Sequence, residues 1–108
     1  MDFNEYQKAA LRTADKNGTF TSQLIAGAMG LVGEAGETCD YIKKIVFHGH
    51  KLNHNKIAEE VGDTLWYAAL LADAINISLE EIAERNIAKL KQRYPDGFDP
   101  EKSKKRIG

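Results

Sequence analysis

Cysteine is almost missing from this chain of 108 residues. Cys39 stands alone, which excludes a disulfide framework and a cysteine-based zinc site. Proline occurs only at Pro95 and Pro100, so no breaker interrupts the chain before them, and long helices are favoured. Neither sign of charge is in excess. Lys and Arg number 15 against 16 Asp and Glu, a net charge of −1, which argues against a nucleic-acid binder held by bulk electrostatics. No apolar run approaches the ~18 residues that would span a membrane. The start, Met1-Asp2-Phe3-Asn4-Glu5, lacks the basic-then-apolar order of a signal peptide, so a cytoplasmic location is expected. Strand-like alternation and internal repeats are absent as well.

What is present is an ordinary globular composition, 43% apolar and 29% charged. One domain is expected over residues 1–108, burying roughly 60–70% of its unfolded surface. Helical periodicity predicts four segments. The first runs from about Phe3 to Asp15, with Phe3, Tyr6, Ala10 and Ala14 on one side, and ends at Lys16-Asn17-Gly18. The second runs from about Ser22 to Phe47, with a stripe of Leu24, Ala28, Leu31, Ala35, Ile42 and Val46. The third follows Asn53, a good N-cap, and reaches about Ile75 along Ile57, Val61, Leu65, Ala68, Ala72 and Ile75. The fourth follows Ser78, where Ser78-Leu-Glu-Glu81 fits a capping box, and ends at Arg93 ahead of Tyr94-Pro95. Residues 98–108 form a tail, basic from Glu101 onward, expected either to make a short helix or to fray. The fold class is therefore all-α, a four-helix bundle-like domain. Leu65 to Ala72 is apolar on every side, and a helix of that kind must be covered on every side. This predicts a homodimer or homotetramer built largely through the third helix; the alternative is a central helix covered by its own chain.

Two acidic pairs stand out. Glu34-Ala-Gly-Glu37 lies on the second helix and Glu60-Val-Gly-Asp63 on the third. Residues three apart share a helix face, where like charges destabilise an isolated helix by a few tenths of a kcal/mol. One pair is commonplace; two on neighbouring antiparallel helices suggest convergence. Carboxylates alone are hard oxygen ligands suited to Mg²⁺, Mn²⁺ or Ca²⁺. A diiron bundle site would want Glu-x-x-His, and no glutamate here has it. His48, His50 and His54 cluster between the second and third helices and read as surface residues. Gly27, Gly30, Gly33 and Gly36 recur every third residue, each costing about 0.8–1 kcal/mol relative to Ala inside a helix. Close packing around the carboxylates, with Gly62 opposite, is the preferred reason, because no phosphate-cradling glycine motif is present.

On the fourth helix, Asn86, Lys89 and Arg93 share one face. Beside a metal site they would suit a ligand with several phosphates; alone they are a basic face near a helix C-terminus. Tyr67, four residues after Asp63, is a candidate for the pocket wall. Nothing pairs a serine or cysteine with a histidine, so covalent nucleophilic catalysis has no candidate.

The stretch Gly30-Leu-Val-Gly-Glu34-Ala-Gly-Glu37, followed after 22 intervening residues (Thr38 to Glu59) by Glu60-Val-Gly-Asp63-Thr-Leu-Trp-Tyr67, resembles the MazG-type nucleotide pyrophosphohydrolases of the all-α NTP pyrophosphatase superfamily. The later run from Glu84 through Arg93-Tyr-Pro-Asp-Gly-Phe98 resembles their small single-domain members, and the likeness covers about residues 5–104. Gly33 departs from members that carry a further glutamate there. The resemblance implies hydrolysis of a nucleoside triphosphate between the α and β phosphates. It implies Glu34, Glu37, Glu60 and Asp63 as catalytic Mg²⁺ ligands, Mn²⁺ also being suitable. It makes Lys89, Arg93 and Asn86 the phosphate-holding residues. Small members resemble dimers or paired dimers. Two other classes remain open from the residues themselves: a non-catalytic helical interaction module, and a divalent-metal-binding bundle without hydrolysis. Nucleoside triphosphate and self are the expected partners, with no nucleic acid and no membrane.

Overall fold

The computed structural model describes residues 1–106. Among them the chain is all helical: α1 (Phe3–Ala10), a 3-10 turn (Leu11–Thr13), α2 (Phe20–His48), α3 (His54–Ala74), α4 (Leu79–Arg93) and α5 (Pro100–Lys104). The final two residues of the predicted tail lie outside the described residues.

Local chemistry sets most boundaries. Asp2 caps α1, its carboxylate accepting from the Glu5 N–H. The first helix is shorter than its periodicity predicts. It tightens at Leu11, and Ala14 is already extended, while the Asp15 carboxylate accepts from the Asn17 N–H. α2 begins two residues earlier than predicted, because Thr19 and Ser22 form a reciprocal capping box that makes Ser22 the third helical residue. Its end is a left-handed Gly49. Asn53 caps α3. Ser78 caps α4 by accepting from the Glu81 N–H, but the Glu81 side chain pairs with Arg85 rather than closing a box. Asp99 caps α5, so the tail is helical to Lys104.

The long pair α2 and α3 forms an antiparallel hairpin, and α1 and α4 pack together against α3. The tightest burial is at that junction, where Ala69, Leu70 and Ala72 of α3 meet Leu79 of α4 and Gln7 of α1. Gln7 is the hinge pin: its amide donates to the Ala69 carbonyl (3.2 Å) and its carbonyl accepts from the Leu79 N–H (3.0 Å), an orphan of the α4 start. The indole of Trp66 donates to the Ala10 carbonyl (3.0 Å), tying α3 to the end of α1.

This packing alters the reading of the apolar segments. Residues 65–72 are half-buried or buried by the chain's own helices. The large exposed apolar side chains instead include Ile25, Met29, Val32 and Val46 on α2, each 51–72% exposed. The predicted α2 stripe falls between two seams: Leu24, Gly27, Leu31, Glu34, Thr38, Tyr41 and Ile45 turn toward α3, while Ala28, Ala35, Ile42 and Val46 are exposed. No described helix is long and apolar enough to cross a membrane.

Candidate metal and phosphate site

The inward seam of α2 carries Glu34, and the facing turn of α3 carries Glu60. Each is followed four residues later by a threonine whose hydroxyl donates back to that glutamate's carbonyl: Thr38 to Glu34 (3.1 Å) and Thr64 to Glu60 (2.9 Å). The hydroxyls are thus used within their own helices and leave the carboxylates to face each other. Glu34, Glu37 and Glu60 each bring one oxygen within 4.8 Å of the others. Glu34 Oε2 and Glu60 Oε2 are buried without a hydrogen-bond partner.

Such crowding has an electrostatic cost. The Glu34 carboxyl is pushed up to about 7, first by the hydrogen bond a shared proton makes with Glu60, then by burial, and then by the charges of Glu37, Asp63 and Glu60. Two carboxylates that face each other with orphaned oxygens require either a proton or a cation between them. The donor set is all hard oxygen, and it fits a divalent ion such as Mg²⁺ or Mn²⁺.

The MazG nucleotide pyrophosphohydrolase domain matches residues 23–98, which include both acidic helices and the whole of α4. The chain belongs to the MazG family. A relative, the Gene 37 protein of Mycobacterium phage L5, is 36% identical over 105 residues, covering 90% of this chain and 92% of its own. No solved structure matches.

The other residues of this MazG domain that the sequence singled out are placed less uniformly. Asp63 is exposed on the next turn of α3 from Glu60, near enough for its charge to raise both Glu34 and Tyr6. Tyr67 is half-buried, its ring lying across α2 at Gly30 and edge-on to Trp66, with centroids 5.0 Å apart. A Cβ on Gly30 would sit inside the Tyr67 ring, so that glycine is required by close approach. Gly27 has a similar if milder reason, since its Cβ would meet Leu71 at 3.0 Å. Gly33, Gly36 and Gly62 meet nothing, and close packing does not account for them within the chain. Asn86 and Lys89 are exposed and Arg93 is half-buried on α4. None of the three lines the cleft that opens beside Glu37 and Glu60.

That cleft, about 460 Å³, continues from Glu37 and Glu60 past Asp40 and Tyr41 to Lys44, His50 and Lys56. Asp40 is held below the usual carboxylate range by hydrogen bonds from Lys44 and Lys43. Sequence reasoning passed over this cationic end. Lys44, about two turns beyond Glu37, and Lys56, one turn before Glu60, carry no local signal of a shared cleft until the hairpin closes. His50 reads in the sequence as a loop histidine only.

Proposed function

We propose that this chain hydrolyses nucleoside triphosphates between the α and β phosphates, releasing a nucleoside monophosphate and pyrophosphate. The observation that carries the reading is the convergence of Glu34, Glu37 and Glu60, with two orphaned oxygens, in a MazG-family chain. Glu34, Glu37, Glu60 and Asp63 would hold Mg²⁺ or Mn²⁺. When bound, the ion supplies positive charge against the phosphate oxygens and makes an attacking water more acidic. The glutamates then fix the geometry: they sit on rigid helices whose threonines are already satisfied, so they need little reordering to accept the ligand. A carboxylate of this set would take the water's proton. Lys89, Arg93 and Asn86 would grip phosphates from the basic α4 face, and Tyr67 would close the wall beside Gly30.

A pyrophosphate-release assay over a nucleotide panel tests the reaction. Turnover that requires Mg²⁺ or Mn²⁺ and stops in excess EDTA is expected. Glu37→Gln and Asp63→Asn should lower it by orders of magnitude while metal-free melting temperature does not fall. Undiminished turnover in EDTA, or active variants, would refute the site. Removing Lys89 or Arg93 should cost activity and not folding; rates within twofold of wild type would place that face in solvent.

Self-association belongs to the same reading. The chain exposes 8166 Å², whereas a compact monomer of this mass exposes about 6,000 Å². Its radius of gyration is 16.8 Å against about 13 Å for a compact domain. Ile25, Met29, Val32 and Val46 are exposed on the outer side of α2, which supplies a surface for a second copy.

A further inference from the structure

The two halves of α4 have different surroundings. At its start Leu79 is buried and Ile82 and Ala83 are half-buried, where the helix meets α1 and α3. From Glu84 to Gln92 every residue is exposed, Ile87 by 52% and Leu90 by 41%. Along this stretch runs an apolar groove of about 470 Å³, lined by Ala83, Ile87 and Ala88 and by Phe3 of α1. Its charged residues are not equivalent. Glu80 accepts from the Asn4 amide. Glu84 and Lys91 make no ion pair among the described residues. Their own helix offers them none. The residues three and four after Glu84 are Ile87 and Ala88, and the same two stand four and three before Lys91. On their other sides lie Glu80 and Glu81, and Tyr94 and Pro95. The i,i+4 pairing that joins Glu81 to Arg85 is therefore closed to both.

Two opposite charges thus bracket an apolar patch about 10 Å long, at 1.5 Å per residue. That pattern is complementary to itself when turned end for end. A two-fold axis beside Ile87 and Ala88 sets the partner's Lys91 opposite Glu84, and the partner's Glu84 opposite Lys91. Ile87 then rests on the partner's Ala88 between the two ion pairs. We propose that this face of α4 is a contact between two copies of the chain, packed antiparallel across that axis. Ala83 and Ala88 are small and let the helix axes come close. A polyanion in the groove would meet Glu80 and Glu84, and an uncharged apolar ligand would leave both ends unpaired. Asn86, Lys89 and Arg93 lie about 120–140° around the helix from Ile87, Glu84 and Lys91, at 100° per residue, so the pairing leaves the basic face free. The contact is separate from the exposed side of α2, and the two together join pairs into a tetramer. It is independent of the pyrophosphohydrolase reading.

Charge reversal tests it, because the symmetry makes each substitution count twice. Glu84→Lys or Lys91→Glu alone turns both attractions into like-charge contacts. Light scattering of the full chain at tens of micromolar should show either variant at half the wild-type mass. The dissociation constant of that step should rise by about tenfold or more. The double variant Glu84→Lys/Lys91→Glu keeps the net charge and should recover the wild-type mass. Ile87→Asp should halve the mass as well, and added salt should weaken the contact. Thermal melts show that each variant keeps its fold. Single reversals with the wild-type mass overturn the contact and leave the groove to a different partner. A double variant as dissociated as the single ones overturns it too, as does a wild type that scatters only as the 12.0 kDa monomer.

Discussion

Glu34 shows how a single side chain reports on a site. Its carboxyl is raised to about 7 from 4.5 because its protonated form can hydrogen-bond to Glu60, because it is desolvated, and because it sits among the charges of Glu37, Asp63 and Glu60. A carboxyl whose folded pKa lies above its unfolded value binds its proton more tightly in the native state. Its contribution to stability is full below about 4.5 and is lost as the pH rises through about 7. Metal-free protein is therefore expected to lose melting temperature between pH 5 and pH 8 from this group, and Glu34→Gln should flatten that part of the profile. Added Mg²⁺ should restore stability at the alkaline end, because it binds the ionised form. Melts in EDTA across this range check the sign: a wild-type profile that rises from pH 5 to pH 8, and that Glu34→Gln leaves unchanged, would contradict the crowding.

At the scale of single helices, the glycines of α2 divide into two kinds. Gly30 admits the Tyr67 ring, and Gly30→Ala should destabilise the fold and displace that ring. Gly33 has open space where a Cβ would point. Gly33→Ala should raise metal-free stability by about 0.8–1 kcal/mol, the helix-propensity gain alone. Chemical denaturation of both variants distinguishes close approach from open space; equal effects would mean that the shared spacing has one cause. Gln7 is a second element-scale feature. Gln7→Leu keeps the bulk but strands the buried Leu79 N–H and removes the second bond to the Ala69 carbonyl, and should cost about 1–3 kcal/mol. Its position between Tyr6 and Ala10 marks it as a polar residue on an apolar face, the signal that a sequence reading could have used.

The whole molecule has more surface than its mass calls for, and its dimensions, 46 × 41 × 29 Å, follow from leaving the α2–α3 hairpin uncovered on one side. Ile25, Met29, Val32 and Val46 fall at heptad-like spacings on that side. A second copy laid along α2 would cover them. Light scattering at tens of micromolar is expected to show a mass above the 12.0 kDa monomer, and Met29→Asp with Val32→Asp should shift it toward the monomer. A wild type that scatters only as monomer would remove the surface from consideration, as would a double variant that assembles normally.

The four main helices, most of their ends and the two acidic pairs were legible in the sequence, because caps, left-handed glycines and a 3.6-residue period act over a few neighbouring residues. The orientation of α2 was not. Its apolar residues occupy two adjacent seams, and averaging them points the stripe between Leu24–Leu31 and Ile25–Val32. Only packing against α3 settles which seam turns inward. The same packing carries Glu34 to Glu60, takes residues 65–72 into the chain's own interior, and sets Lys56 on Tyr41 beside Lys44. Each of these joins residues far apart in sequence, and their pairing depends on the register between helices, for which no local period carries information.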